Sequence, residues 1–355
     1  MDFLIKRDDL HECRVVDAPR PDLEPGQALL EVSAFGLTSN NITYAVFGEA
    51  MSYWDFFPAD GGWGRVPVWG FADVVASTYE GVEEGTRVFG YLPPSTHLVV
   101  VPDRAGAHGF TDASPHRAGL PAAYNAYSRV DADPSYRPER EDQQMLLRPL
   151  FFTSFLLDDF LADSNLFGAA SVVISSASSK TAHGTAFLLS RREGVEVIGL
   201  TSSRSTAFVE SLGVYDGVVA YDDIGSLPRE SAVYLDMAGD PDTRLAVHEH
   251  YGDGLTHSAV VGATHHDRVG GASEPPPGPP PTFFFAPDRV AKRSGDWGRE
   301  GLERRLAEAW VPYVEWTDGW LRVTHESGPE AVQRTYLDLL DGRIDPAAGH
   351  VLSPS

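Results

Sequence analysis

The fold turns on the stretch SSASSKTAHGTAFLL, Ser175–Leu189. It follows the β-branched run Val172-Val173-Ile174 and leads into an apolar helical pattern. β-branched residues favour strands, and apolar residues three and four apart favour a helix, so the pattern predicts strand, tight turn, helix. A turn of this kind that binds a dinucleotide is glycine-rich for three reasons. The first glycine permits the tight turn, the second lets the backbone approach the pyrophosphate, and the third lets the helix pack on the strand. The matching positions here are Ala177, Ser179 and Ala182. Alanine at the first requires ordinary backbone dihedrals. Serine at the second is small, and its hydroxyl can bond a phosphate. The helix N-terminus still offers unpaired N–H groups and a favourable dipole to an anion. Ser178, Ser179, Lys180 and Thr181 are therefore candidate phosphate ligands. An ordinary strand-to-helix turn is the competing reading.

The next strand bears on that choice. An NAD site carries an acidic residue roughly 20 residues on, which holds the ribose 2′-hydroxyl. Here the strand ends Gly199-Leu200-Thr201-Ser202-Ser203-Arg204, with no carboxylate. Ser202, Ser203 and Arg204 suit a 2′-phosphate instead, because arginine pairs phosphate bidentately. Alternatively, Ser202 caps the following helix and Arg204 is solvated.

Working outward, strands at 171–176, 195–200, 217–220, 232–236 and 257–262 alternate with helices at 182–192, 204–212 and 242–250. That alternation argues for a parallel sheet with helices on both faces. A helix over Arg148–Leu161 precedes it. The first third reads differently, as short strands at Gln27–Ala34, Val66–Ser77, Thr86–Tyr91 and His97–Val101, separated by glycine and proline. This is a β-rich, barrel-like lobe. The run EPPPGPPP, Glu274–Pro281, is an exposed polyproline connector. Phe283-Phe284-Phe285 reads as a buried strand, Arg299–Trp310 as an amphipathic helix, and the tail from Val323 to Leu352 as strand, helix, strand.

Composition narrows the function. At 355 residues the chain holds about two domains. A net charge of −23 argues against nucleic acid or an anionic membrane as partner. The single cysteine, Cys13, excludes an internal disulfide and a cysteine-rich structural zinc site. There is no apolar leader and no run of about 18 apolar residues, which predicts a cytoplasmic protein that does not span a membrane.

The order of these segments resembles the medium-chain dehydrogenase/reductase superfamily, in its zinc-free, quinone-oxidoreductase-like branch. PGQALLEVSAFGLTSNN (25–41) resembles that branch's entry strand and Gly-Leu-Asn-Pro-Ser-Asp segment. VPVWGFADVVASTYEGVEEGTRVFGY (66–91) resembles its Pro-x-x-x-Gly strand and Gly-Asp-Arg-Val turn, and PLFFTSFLLDDFL (149–161) the helix before the cofactor strand. The stretches 171–190 and 194–221 resemble its nucleotide-binding unit, AVYLDMAGD (232–240) its Asp-x-x-Gly turn, and 328–354 its C-terminal helix and closing strand. Thr38 and Asn41 stand where the branch has asparagine and aspartate, Gly349-His350 stands for Gly-Lys, and the insert from Met51 to Trp63 is unusually aromatic. These departures point to an uncharacterised branch.

The resemblance implies an α/β chain, with a GroES-like β-barrel lobe (1–128 with 318–355) and a doubly wound Rossmann domain (129–317) that binds NADP(H). It implies that Thr153 lies near the nicotinamide, and that Gly262 and Ala263 leave room for its ring. It also implies a homodimer formed through the edge strand at Phe283–Phe285, since an exposed apolar edge needs covering. The implied reaction is metal-free hydride transfer from NADPH to a conjugated carbonyl: an enone, a quinone or an enoyl thioester. Such a reaction needs an aligned acceptor, a donor to the developing oxyanion and a proton. Tyr44, Tyr53, Asn40 and Asn41 are the candidates for the last two roles. The aromatic run Met51–Phe57, with Trp63 and Trp69, is a candidate wall for an apolar or acyl small-molecule substrate, and equally core or dimer surface. His265-His266 is a possible metal half-site, but loop surface is the expectation. Two other functions stay open: a catalytically inactive nucleotide-binding scaffold or sensor, and a lyase using the cleft between lobes. There is no Gly-x-Ser-x-Gly elbow for a hydrolase.

Overall fold

The structure, a computed structural model, describes residues 1–261 and 276–355. The chain divides into two units, Met1–Leu146 with Leu321–Ser355, and Leu147–Trp320. It begins with strands β1 (Asp2–Lys6), β2 (Cys13–Val16) and β3 (Ala28–Leu37), then helix α1 (Ser39–Val46). Strands β4 (Trp63–Gly64), β5 (Val68–Ser77), β6 (Arg87–Leu92), β7 (His97–Val100), β8 (Pro102–Gly106), β9 (Gly109–Asp112) and β10 (Ala126–Arg129) follow. Helix α2 (Glu141–Asp163) leads into β11 (Ser171–Ile174), α3 (Lys180–Leu189), β12 (Glu196–Thr201), α4 (Thr206–Ser211), β13 (Gly217–Ala220), β14 (Ala232–Asp236), α5 (Pro241–Tyr251), β15 (Leu255–Val260), β16 (Thr282–Phe283) and α6 (Ala286–Thr317). The tail is β17 (Arg322–Ser327), α7 (Pro329–Leu340) and β18 (Ala348–Ser353).

In the first unit, one sheet runs β17-β18-β3-β5-β6-β10-β9-β8, with β7 also on β3, and a small sheet runs β2-β1-β4. The C-terminal strand β18 lies antiparallel to β3, which returns the tail to the N-terminal lobe. Trp54, Phe56 and Phe57 are buried in this core. Glycine makes room for the Trp54 indole, since a Cβ on Gly48 or Gly64 would fall within 2.4 Å of its ring. The aromatic insert is thus largely core, while Met51 is exposed. Trp63 lies under the Arg14 guanidinium, 3.9 Å from its carbon.

The expected domain boundaries, 128/129 and 317/318, move to 146/147 and 320/321. Residues 129–146 are tied to the first unit by charge. Arg87 on β6 pairs with Glu141 and Asp73, each at 2.8 Å, and the Tyr136 hydroxyl donates to Glu141 at 2.7 Å.

The second unit carries a six-stranded parallel sheet in the order β13-β12-β11-β14-β15-β16. Numbered within the unit, that order is 3-2-1-4-5-6, the doubly wound Rossmann arrangement. Strands covered on both faces read as unbroken apolar runs, and every residue of β11 and β14 is buried. Helix α6 begins 13 residues before the expected Arg299 (299 − 286), and Gly298 at φ +73 kinks it. Its first half is held by ion pairs. Asp159 on α2 accepts from Arg289 and, at 2.7 Å, from Arg293, and Arg293 also meets Asp163 at 2.9 Å.

Two expectations change at the sheet edge. Side chains on a strand alternate between faces. Phe284 therefore turns inward onto Phe160, while Phe283 (63% exposed) and Phe285 (41%) face out and stack on each other, 6.3 Å apart. They do not form a buried strand. The described part of the polyproline segment is anchored: the Pro277 carbonyl lies 2.7 Å from His248 Nδ1. Glu274 and Pro275 fall outside the described residues, and no helix among those described is long and apolar enough to cross a membrane.

His183 is fully buried among Tyr313, Trp316 and Trp320, and neither ring nitrogen has a hydrogen-bond partner among the described residues. Burial first, and the Lys180 charge second, push its pKa well down. Burial also lowers His248 and His257. A folded imidazole that stays neutral gains no proton where the unfolded one does. Stability is therefore present above pH ~6.5 and lost as pH falls below it. One pH unit below the ordinary imidazole value, a histidine that stays neutral accounts for on the order of 1 kcal/mol. Denaturant unfolding at pH ~7.5 and ~5.5 should show the His183→Leu variant losing less stability than wild type over that step, by on the order of 1 kcal/mol. Equal losses would mean that His183 does not drive the acid response.

Candidate functional site

In the second unit the site begins where β11 ends. Ser175 is buried, and its Oγ accepts from the Met237 and Ala238 N–H groups, each at 3.0 Å, while donating to Asp236 at 3.1 Å. Asp236 in turn accepts the Gly239 N–H at 2.9 Å and pairs with Arg244 at 2.9 Å. The C-terminal ends of β11 and β14 are thereby joined.

The turn then takes the left-handed conformation at Ser176, φ +50. The sequence reading asks for ordinary dihedrals at Ala177, which holds, and does not foresee the left-handed residue beside it. The position that demands a glycine-like backbone is Ser176, one residue ahead of Ala177, because Ser176 is the first residue free of the β11 pairing and must reverse the chain. Ala177 has an ordinary φ and is buried, its N–H donating to the Leu200 carbonyl at 3.0 Å. A Cβ on Gly199 would lie 2.9 Å from the Ala177 Cβ, so the glycine on β12 supplies the space that the turn lacks. Ser176 donates its N–H to the Tyr221 hydroxyl at 2.8 Å, and the Tyr215 hydroxyl donates to the Ala177 carbonyl at 2.9 Å.

Ser179 is the N-cap of α3. Its hydroxyl accepts the Ala182 N–H at 3.3 Å and keeps its own proton for another acceptor. Ser178, Lys180 and Thr181 are half-buried around the same helix start. Ser154 donates to the Thr181 carbonyl at 2.8 Å, and Gly184 opposite it leaves room, since a Cβ there would meet Ser154 Oγ at 2.7 Å. Thr153 lies beside Ser154 on α2, half-buried. At the end of β12, Ser202 Oγ donates to Ser205 Oγ at 3.2 Å, and Ser203 and Arg204 are exposed. Among the described residues Arg204 makes no hydrogen bond or ion pair. Two hydroxyls and a free guanidinium, with no carboxylate on the strand end, fit the donor needs of a ribose 2′-phosphate. Gly262, Ala263, His265 and His266 lie outside the described residues.

In the first unit, Asn41 is buried and its amide is engaged at both ends. Its Oδ1 accepts the Thr38 N–H at 2.8 Å, and its Nδ2 donates to the Pro67 carbonyl at 2.8 Å. It caps α1 and fixes that helix to the chain before β5, so its place is structural. Asn40 is half-buried near Tyr44. Tyr44 is buried and accepts the Trp69 indole N–H at 3.2 Å. Its ring lies 4.6 Å from Tyr53 and 5.5 Å from Tyr91, and Tyr124 closes the group 4.7 Å from Tyr91 and 6.2 Å from Tyr53. Burial, then the neighbouring phenols, push these hydroxyls up: Tyr53 to about 12, and Tyr44 and Tyr124 further. They stay protonated at neutral pH and act as donors, not bases. The Tyr91 carbonyl is bonded by Tyr127, which is itself bonded by the buried Arg117 of the Arg117–Asp112 pair. Tyr124 was not among the residues expected from sequence. It sits in a short turn, Ala122–Asn125, where no periodicity marks it. Among the described residues no group of three or more His, Cys, Asp or Glu is placed to hold a metal ion.

The family described as "Protein of unknown function (DUF2855)" matches residues 35–345. The chain belongs to that family. Among solved structures it is similar to CurA from Vibrio vulnificus in complex with NADPH, with a TM-score of 0.64 at 13% identity over 100% of this chain and 99% of that one. It is also similar to the yhdH oxidoreductase from Salmonella enterica in complex with NADP (TM-score 0.56, 12% identity, 97% and 95% covered). A third likeness is to the quinone oxidoreductase from Coxiella burnetii (TM-score 0.53, 13% identity, 100% and 99% covered). At these identities the likeness is one of fold: a GroES-like β-rich lobe and a doubly wound Rossmann domain. No curated protein matches the chain in sequence.

The exchange of glycine between turn and strand can be tested directly. Gly199→Ala should destabilise the chain by about 1–3 kcal/mol through overpacking. Adding Ala177→Gly should recover part of that loss, because it removes the nearest clashing methyl. Urea unfolding of the two single variants and the pair checks this, and purely additive losses would refute the coupling.

Proposed function

We propose that the chain is an NADPH-dependent oxidoreductase that reduces a conjugated carbonyl compound (an enone, quinone or enoyl thioester) without a metal. The observation that carries the cofactor choice is the end of β12. There Ser202, Ser203 and Arg204, which has no partner among the described residues, stand where a carboxylate would select NAD. The fold likeness to CurA with NADPH and yhdH with NADP supports the same reading.

When bound, the nicotinamide supplies the hydride. On this reading the residues of the chain divide the remaining tasks. Ser178, Ser179, Lys180 and Thr181 hold the pyrophosphate at the start of α3, with the helix dipole in their favour. Thr153 stands on the neighbouring helix for the nicotinamide. Tyr53 and Tyr124, half-buried and protonated, donate to the substrate oxygen as negative charge develops there, and one of them gives up its proton. Tyr44, held by Trp69, and Asn40 position that pair. The surrounding rings favour an apolar or acyl substrate and keep water from the charge.

The second reading, a nucleotide-binding scaffold or sensor without hydride transfer, is favoured by the glycine-poor turn, with Ala177, Ser179 and Ala182 at the three glycine positions. We also propose a homodimer through the β16 edge. Phe283 and Phe285 form an exposed stacked pair on an open strand, which another copy can cover.

Calorimetric titration should give micromolar NADPH binding and much weaker NADH. Arg204→Ala should cost about 1–3 kcal/mol toward NADPH and little toward NADH. If neither nucleotide binds, the reductase reading fails. With NADPH bound, a screen of enones, quinones and enoyl thioesters should find substrate-dependent loss of the reduced-nicotinamide absorbance, and Tyr53→Phe should slow it about 10²-fold or more. Binding without turnover across that screen would favour the scaffold. Sedimentation should give a dimer that Phe283→Glu splits, and a monomeric wild type would remove the edge proposal.

A further inference from the structure

We infer that Tyr221, seconded by Tyr215, replaces the missing first glycine and holds the strand-to-helix turn in the shape that receives the dinucleotide phosphates; the inference rests on the nucleotide reading above. A residue with a Cβ is disfavoured in the left-handed region, and it persists there when its surroundings hold it. Ser176 is such a residue, at φ +50, and what holds it can be traced bond by bond. Its N–H donates to the Tyr221 hydroxyl at 2.8 Å, and its carbonyl accepts the Ser179 N–H at 2.7 Å. The next peptide is pinned as well. The Ala177 N–H reaches the Leu200 carbonyl at 3.0 Å, and its carbonyl takes the Tyr215 hydroxyl at 2.9 Å.

Both phenols come from the flanks of β13, two strands away from β11 in the sheet: Tyr215 just before it and Tyr221 just after it. Each reaches the turn with its hydroxyl at the end of a rigid ring. The Tyr215 ring passes beside Gly199, where a Cβ would lie 3.1 Å from its Cδ1, so a side chain on that strand would block its path. A glycine-rich turn keeps its shape through freedom at one residue. Here that shape is kept by two side-chain hydrogen bonds and one glycine displaced onto β12. Tyr221 is thus a positioning residue for the phosphate-binding backbone, and Ser176 is the residue it positions.

The test compares wild type, Tyr221→Phe, Ser176→Gly and the double variant by calorimetric titration with NADPH and with NADH, with the melting temperature of each recorded. Tyr221→Phe keeps the ring and loses the acceptor oxygen. It should weaken both nucleotides by roughly fivefold or more, with the preference for NADPH unchanged, because the turn serves the shared pyrophosphate and not the 2′-phosphate. Glycine holds the left-handed shape without a brace, so the double variant should bind within about twofold of Ser176→Gly alone. Tyr221→Phe with a lower melting temperature but wild-type affinities would reduce Tyr221 to packing and overturn the inference. So would an affinity loss that Ser176→Gly leaves uncorrected, or a loss confined to NADPH. A wild type that binds neither nucleotide overturns the nucleotide reading and this inference together. That result is distinct from a wild type that binds and a Tyr221→Phe variant that binds equally well.

Discussion

Between Ile174, the last residue of β11, and Lys180, the first of α3, the chain must reverse from buried strand to helix without a glycine. Much of the second unit is arranged around that constraint. One residue has to be left-handed, and Ser176 is. A left-handed serine needs its peptide groups held, so two tyrosines are recruited from either side of β13. The helix that follows must pack closely on its neighbours, so small residues appear at Ala182 and Gly184, with Ser154 filling the contact. Ser175 and Asp236 join the adjacent strand ends through four hydrogen bonds that involve main-chain N–H groups or their own side chains. None of these features is unusual alone. Together they convert a local backbone demand into a set of tertiary contacts.

That conversion decides what was legible in the sequence. The parallel strands were legible because burial on both faces leaves continuous apolar runs such as Val172–Ile174 and Ala232–Leu235. The first half of α6 was not. Its Asp-Arg-Val-Ala-Lys-Arg pattern reads as solvated surface, yet Arg289 and Arg293 are buried because Asp159 and Asp163, far away in sequence, each pair with both. A charge is buried only when paired, and the pairing is invisible until the two helices are side by side. The glycine position failed for a related reason. Counting along a motif marks Ala177 as the first glycine position and asks only for ordinary dihedrals there, whereas the left-handed residue is Ser176, and the compensating glycine sits on another strand.

The first unit shows the same limit for side chains. Tyr44 and Tyr53 were visible because they flank a segment that resembles a known substrate-side loop, and they do lie ring against ring. Asn41 was visible for its polarity, but buried polar groups are almost always bonded, and its bonds turned out to be local. Tyr124 carried no signal. It joins the group only because a turn outside any periodic element brings its ring to Tyr91 and Tyr53. What sequence alone supplied was residue type. Which hydroxyls are buried, and which share a volume so that burial first and their neighbours second raise their pKa, is a property of the packing.

The charge of the chain sharpens the case for a local anion site. A net charge of −23 repels a dinucleotide at long range, so affinity cannot come from the overall field. At physiological ionic strength that repulsion is screened beyond about 8 Å, whereas contacts made within hydrogen-bonding distance are not. On the proposed reading, binding rests on a few local donors: the start of α3 with Ser178, Ser179, Lys180 and Thr181, and the end of β12 with Ser202, Ser203 and Arg204. Many arginines of the chain are committed to carboxylates, as Arg87, Arg192, Arg244, Arg289 and Arg293 are, whereas Arg204, at a strand end and without a partner among the described residues, is available to an anion. Because so few donors are present, their placement matters more than their number, and the shape of the turn that presents them becomes the determining feature of the site.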